Sequence, residues 1–337
     1  MKQVVAGGAL VLALAACGGS GPPKAALPPG PKLHLDPTTD LAQAAAIVWL
    51  LDVSPRELVA HTDLLPAIDT LLPHDRVASF AERYGFDPLA LEELTWASYS
   101  SDIGDTMLYV ARGAFDPGKL EALFKARAGG VEGRGVDREG EQEIVRTWGT
   151  LRGQRAQVAT FGREGAALEV GRFGPLRVAE LFAQERLKRA SPALKTGSLA
   201  RVAELAGGDA PLRAFALGPF EGENGMWLGG LLAASTAAAA TATPATVANH
   251  PALRLTLVLT GGWGSDAAAA ADRLAAAFDA LSATSVGRLA GLDHPLDLVR
   301  VEPFPDALRL TVTFDALGLA RGAKAAMGAE VSEIMSY

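Results

Sequence analysis

Three apolar runs, at residues 143–151, 156–161 and 166–172, succeed one another with only two short breakers between them, Arg152-Gly153-Gln154-Arg155 and Gly162-Arg163-Glu164-Gly165. Parallel neighbours need a crossover of about a dozen residues or more, so breakers this short permit only antiparallel pairing. A meander is therefore expected here. Upstream, the runs 94–100 and 106–114 are joined by Ser101-Asp102-Ile103-Gly104-Asp105, which has turn chemistry and predicts a hairpin. The run 44–53 fits a buried strand or a helix equally well by periodicity. The next four residues break the tie: Ser54-Pro55-Arg56-Glu57 offers a Ser cap, Pro at the first helical position and Glu three residues after the cap. A helix starting at Pro55 favours a strand before it.

Helical signals alternate with these strands. Residues 75–84 place Val77, Phe80, Ala81 and Tyr84 on one stripe, with Gly85 as the stop. Asp116-Pro117 opens a helix to about Ala128, and the Gly- and charge-rich stretch 129–140 after it reads as a loop. Gly174-Pro175 opens another to about Arg189, with Val178, Leu181 and Phe182 turned inward. Its last turn would carry Arg186-Leu187-Lys188-Arg189, where cations oppose the negative end of the helix dipole.

The second half repeats this plan loosely. A strand at 253–259 runs through Gly261-Gly262-Trp263-Gly264 into a long helix capped by Ser265, with Leu274, Phe278 and Leu281 on its core stripe; strands at 298–303 and 307–314 come after it. The expected fold is α+β: antiparallel curved sheets with helices packed on one face, in two pseudo-duplicated halves at residues 41–195 and 196–337.

The N-terminus carries a different message. Lys2 precedes an apolar run from Val4 to Ala16, the layout of an export signal. It is well short of the about 20 residues that a spanning helix needs. The run ends Leu14-Ala15-Ala16-Cys17-Gly18, which resembles the lipobox of bacterial lipoproteins. That resemblance covers only the leader. It implies cleavage between Ala16 and Cys17, removing residues 1–16, and lipidation of Cys17 by diacylglyceryl and acyl chains such as palmitate. Two or three chains anchor durably where one holds only marginally. The resemblance places the chain in the cell envelope, held to a membrane by lipid. Gly18 in place of an Asp favours the outer membrane, facing the periplasm, in a Gram-negative host. Residues 17–40 begin with a Gly-, Ser-, Pro- and Ala-rich tether, of which 18–31 would reach at most roughly 50 Å.

Composition narrows the rest. Cys17 is the only cysteine, so no intramolecular disulfide forms and stability rests on the core. With 49% apolar and 20% charged residues, the chain can bury one, and it is not a disordered coat. A formal charge of −7 without a basic cluster argues against a nucleic-acid partner.

No motif in the body points to chemistry. Gly261–Ser265 lacks the P-loop Gly-Lys-Ser/Thr ending and the dinucleotide glycine spacing, and reads as a turn plus cap. The histidines, His34, His61, His74, His250 and His294, stand singly, without the helical pairing that metal ligands use, so no metal and no cofactor is expected. Glu92-Glu93, Asp102/Asp105 and Glu141/Glu143 are expected to be solvated charges. The uncharged run 226–242 reads as a buried, small-residue helix close against the sheet, with a mobile apolar wall beside a ligand cleft or bilayer as the alternative. The resulting expectation is a lipid-anchored envelope protein with a non-catalytic binding or structural role, engaging an envelope protein or component. The alternatives are a periplasmic carrier of lipid or another apolar ligand, and an envelope hydrolase whose active site is dispersed along the sequence.

Overall fold

A computed structural model describes residues 33–102, 104–139, 142–172 and 174–328. Cys17, Ala16 and the whole leader and tether up to residue 32 lie outside them. The fold is α+β, with antiparallel strands and packed helices. The described chain divides into two compact units. One contains residues 48–76 together with everything from Leu194 onward; the other contains the segment up to Ile47 and Val77–Ala193.

In chain order the elements begin with β1 (Ile47–Val53), α1 (Pro55–Ala60) and α2 (Leu65–Leu71). Pro55 is the first residue of α1 as expected, although Ser54 makes no side-chain cap bond. Next come α3 (His74–Tyr84), β2 (Glu93–Tyr99), β3 (Thr106–Arg112) and α4 (Pro117–Arg127). The meander is β4 (Gly130–Glu139), β5 (Gln142–Leu151), β6 (Gln154–Phe161) and β7 (Gly165–Val170), and α5 (Pro175–Ala183) closes this unit. Its strand order is β2-β3-β7-β6-β5-β4, antiparallel throughout. Asp116 caps α4 by accepting the Lys119 amide, and Gly85 adopts the left-handed φ of 76° that ends α3. Tyr109 and Ala111 of β3, Val158 of β6 and Leu168 of β7 form one apolar face under Leu120, Leu123 and Phe124 of α4 and Phe80 of α3.

Two expectations fail in this unit. Within the stretch 129–140, Gly130–Glu139 is an edge strand and not a loop, and Gly133 there serves packing. A Cβ on Gly133 would collide with the ring of its cross-strand partner Trp148, so the indole lies over β4 only because nothing projects there. Helix α5 stops at Ala183, and the basic cluster 186–189 lies beyond it. The inward stripe of α5 is Leu176, Ala179, Glu180 and Ala183, while Val178, Leu181 and Phe182 are half-buried.

The other unit continues with α6 (Gly197–Ala206), β8 (Leu212–Leu217), β9 (Ser235–Val247), β10 (His250–Gly261), α7 (Ala267–Ala283), α8 (Ser285–Leu289), β11 (Arg300–Phe304), β12 (Ala307–Asp315) and α9 (Ala316–Met327). Its strand order is β11-β12-β10-β9-β8-β1. Leu259 of β10 and Leu308, Leu310, Val312 and Phe314 of β12 pack under Leu274 and Phe278 of α7. The opposite face meets α6 through Phe215, Ala239 and Val258. The run 226–242 is not a helix. Residues from Ser235 onward form β9, and residues up to Gly230 form an irregular turn in which Leu228, Gly229 and Gly230 all take positive φ. Alternating Ala and Thr fit a pleated strand squeezed between β8 and β10, where side-chain bulk is not needed. Ser265 is not the cap of α7; it sits inside a short 3-10 turn, Gly264–Asp266, that precedes the helix.

Both units run hairpin, helix, antiparallel strands, helix, with four strands in the later group of one and two in that of the other. In one, β2-β3 leads through α4 to a meander whose last strand, β7, pairs with β3 before α5; in the other, β9-β10 leads through α7 to β12, which pairs with β10 before α9.

Gly133→Ala should destabilise the fold by ~1–3 kcal/mol, the usual cost of overpacking. Gly130→Ala, on the same strand with nothing within 4 Å of its added Cβ, should stay within about 0.5 kcal/mol of the parent. Urea unfolding of the two variants side by side checks this; equal midpoints would show that Trp148 does not hold β4 in place.

Candidate functional site

The residues that the sequence offers for chemistry are not brought together. All five histidines are exposed: His34 packs edge-on to Phe182 at 5.3 Å, and His294 lies 3.4 Å from Asp293. Among the described residues, no three His, Cys, Asp or Glu side chains gather as a metal site. The amides of Gly261 and Gly264 are taken by the carbonyls of Asp306 and Pro305, so these two N–H groups of the glycine turn are not free for a phosphate. Glu93 is not a solvated charge: it is buried and accepts the Thr38 amide at 2.7 Å. Asp105 accepts from the Ser100 hydroxyl.

The polar groups that the structure does enclose come from β6, β7 and α5. Glu169 sits near the end of β7, and strand alternation turns it away from the apolar face that carries Leu168. It is fully buried, and it accepts the amides of Leu176 (2.6 Å) and Gly174 (3.1 Å) and the Gln157 side-chain amide (3.1 Å). The chain folds this way because α5 begins at Pro175, and its opening amides need acceptors that the helix itself does not supply. Burial raises the Glu169 carboxyl from the ordinary 4.5 to about 7, against the lowering effect of those three donors, and the nearby charge of Glu180 adds to the rise. The Tyr99 hydroxyl, also buried, makes no hydrogen bond of good geometry among the described residues, although the Gln43 backbone lies near it. Burial pushes its pKa up; the Gln43 backbone offsets part of this, and Glu169 adds to it.

Tyr99 also lines an apolar cavity of about 230 Å³, together with Ala45, Ala46, Pro175 and Val178. That is below the ~300–1,000 Å³ that ordinary small-molecule pockets occupy. One turn along α5, Glu180 is buried and accepts Arg146 at 2.9 Å and Arg177 at 2.7 Å through a single carboxylate oxygen. Arg177 and Arg186 in turn meet Asp137. Burial raises the Asp137 carboxyl, but the Arg177 bond and the Arg186 charge more than reverse it, leaving the pKa lowered. These ion pairs clamp α5 to β4 and β5. Neither Glu169 nor Glu180 stands out in the sequence; the signal for them is an acid one strand-end before the Gly174-Pro175 helix start, and a second acid on the otherwise apolar stripe of that helix.

Among the described residues, no helix is long and apolar enough to cross a membrane. No protein-family profile matches the chain, and no curated protein is similar to it in sequence. Among solved structures, crystal form I of TP0453 is similar with a TM-score of 0.47 at 11% identity, over 86% of this chain and 98% of that one. Crystal form III gives 0.47 at 13%, over 90% and 100%, and crystal form IV gives 0.46 at 12%, over 84% and 94%.

The raised Glu169 pKa has a stability consequence with a definite sign. Between pH 4.5 and about 7 the folded state holds a proton that the unfolded chain releases, so stability is greatest below that window and falls as pH rises through it. At ~1.4 kcal/mol per pKa unit the loss is about 3 kcal/mol at most. Glu169→Gln should remove this slope from urea midpoints measured between pH 5 and 8, while Glu169→Ala should destabilise at every pH by leaving buried donors unmet. An unchanged slope in Glu169→Gln would assign the pH dependence elsewhere.

Proposed function

We propose that this chain is a lipid-anchored protein of the bacterial cell envelope with a binding or structural role. The observation that carries the proposal is the leader: Lys2, a short apolar core, and Leu14-Ala15-Ala16 directly before the sole cysteine, Cys17. An acyl-modified Cys17 followed by a Gly/Pro-rich tether would hold the folded units close to a membrane without embedding them. The outer membrane, facing the periplasm, is the site that Gly18 favours in a Gram-negative host.

A binding role in preference to a reaction is supported by where reactive groups lie. The acidic groups with strongly raised pKa values, Glu169, Tyr99 and Tyr109, are enclosed in packing, and the histidines stand apart on the surface. A surface suited to an envelope partner is the turn before β9, where Met226 is 75% and Trp227 58% exposed. Consecutive large apolar side chains held out by a run of positive-φ residues are a contact surface of the kind that Trp and Met supply at protein interfaces. The carrier reading is disfavoured by the small volume of the apolar cavity under Tyr99.

Expressed in a bacterial host with an alkyne-labelled palmitate analogue, the chain should incorporate label and sediment with membranes through a high-salt wash. Cys17→Ala should lose both label and sedimentation. Full membrane retention of the unlabelled variant would overturn the anchor.

A further inference from the structure

Strand alternation gives the outer strands of the second unit a polar face as distinctive as its apolar one. While Leu308, Leu310 and Val312 of β12 point to α7, the residues between them, Arg309, Thr311 and Thr313, point the other way. The same alternation on β10 and β11 adds Arg254, Thr256 and Arg300 to that face. Helix α6 lies mainly over β8, β9 and β10 on this face and reaches β12 only at its C-terminal end; that end, Glu204–Gly207, forms one wall of a groove, and Asp297 and Leu298 form the other. The groove holds about 430 Å³, within the ~300–1,000 Å³ of ordinary ligand sites.

Its charges are unevenly matched. Arg309 is paired with Glu302 through both Nε and an Nη, and Glu204 with Arg201, which also binds Asp306. Asp297 accepts only the neutral Leu298 amide, so among the described residues its charge has no ion-pair partner and stands at the rim. Among the described residues, the side chains of Arg254 and Arg300 have neither an ion pair nor a hydrogen bond, and the hydroxyls of Thr256, Thr311 and Thr313 make none. The pairing registers place these groups together: Thr311 stands between Arg300 and Thr256, and Arg254 stands opposite Thr313. Two strand spacings and one two-residue step separate the Cα atoms of Arg254 and Arg300 by roughly 12 Å. Two guanidinium groups can close that distance from opposite sides onto one small ligand.

We propose that this groove is a binding site for a compact phosphate-type oxyanion, gripped by Arg254 and Arg300 with threonine hydroxyls beneath it. Planar guanidinium forks present parallel N–H donors that match the oxygen spacing of phosphate, and charge-assisted bonds of this kind are about twice as strong as neutral ones. The three hydroxyls donate to the remaining oxygens. The carboxylates at the rim, Glu204 and Asp297, disfavour extended polyanions and favour a single compact group, either free or as the phosphodiester of a lipid headgroup. The site does not depend on the Cys17 anchor.

The test is calorimetric titration of the full chain in nonionic detergent, in separate arms with inorganic phosphate and with dihexanoyl phosphatidylglycerol below its micelle concentration. Dihexanoyl phosphatidylcholine reports on mixing of short-chain lipid with detergent. Arg254→Gln and Arg300→Gln touch no partner, so their melting temperatures should match the parent. At least one anion should bind, and each substitution should weaken it tenfold or more. Binding of phosphate alone identifies a free oxyanion; binding of the phosphatidylglycerol in excess of the phosphatidylcholine identifies a headgroup. If neither anion binds the parent, or both variants bind as the parent does, the proposal is wrong.

Discussion

The two-sidedness of the β10–β12 strands is the constraint on which most of the second unit depends. Because side chains alternate along a strand, Leu308, Leu310, Val312 and Phe314 cannot reach α7 without sending Arg309, Thr311 and Thr313 to the opposite face. Burying the first set fixes the register, since a slip of one residue would put arginine under α7 and leucine in the groove. The apolar core and the donor-rich groove are thus two consequences of one choice of register. With a single cysteine in the whole sequence, no covalent link is available to hold that register in its place.

The first unit solves a different problem with the same topology. Its last strand also leads directly into its last helix, and in both units an acid at the strand end accepts an opening amide: Asp315 takes Gly318 N–H at the start of α9, and Glu169 takes Gly174 and Leu176 at the start of α5. Asp315 is partly exposed and close to the helix it caps. Glu169 reaches across several residues from inside the fold, so desolvation opposes its charge while the donors favour it. The neighbouring α5 residue Glu180 is also buried and relies on Arg146 and Arg177. A helix fastened by two buried carboxylates depends on donor placement to a degree that an apolar helix face does not, because truncating any one donor leaves an acceptor without water.

How far the sequence discloses this depends on whether a residue's role is local. Turns and helix starts are local, and there the reading succeeds: the breakers 152–155 and 162–165, the Asp116 cap, Pro55 and Gly85 all act within a few residues of themselves. Where the partner is distant the reading fails. Gly133 looks like loop material until Trp148 is seen above it, and the Ala/Thr run of β9 looks like a helix until β8 and β10 confine it on both sides. Glu169 looks ordinary in the sequence because its donors come from a turn and from another strand. Ser265 misleads for the opposite reason: the cap chemistry is present, but the 3-10 turn at Gly264–Asp266 comes first and α7 begins only at Ala267.

The same distinction explains why the candidate groove has no sequence signature. Arg254, Arg300 and Arg309 are isolated in the sequence and acquire meaning only when three strands align them, so a scan for basic runs passes over them. In the run that such a scan does find, residues 186–189, Arg186 is engaged by Asp137. In a chain with a formal charge of −7, carboxylates match several of the scattered arginines, as Glu302 does Arg309 and Asp52 does Arg213. In the groove Glu302 and Glu204 are matched by Arg309 and Arg201, which leaves Arg254 and Arg300 opposed only by Asp297 at the rim, and low-dielectric walls focus their field on an anion that enters.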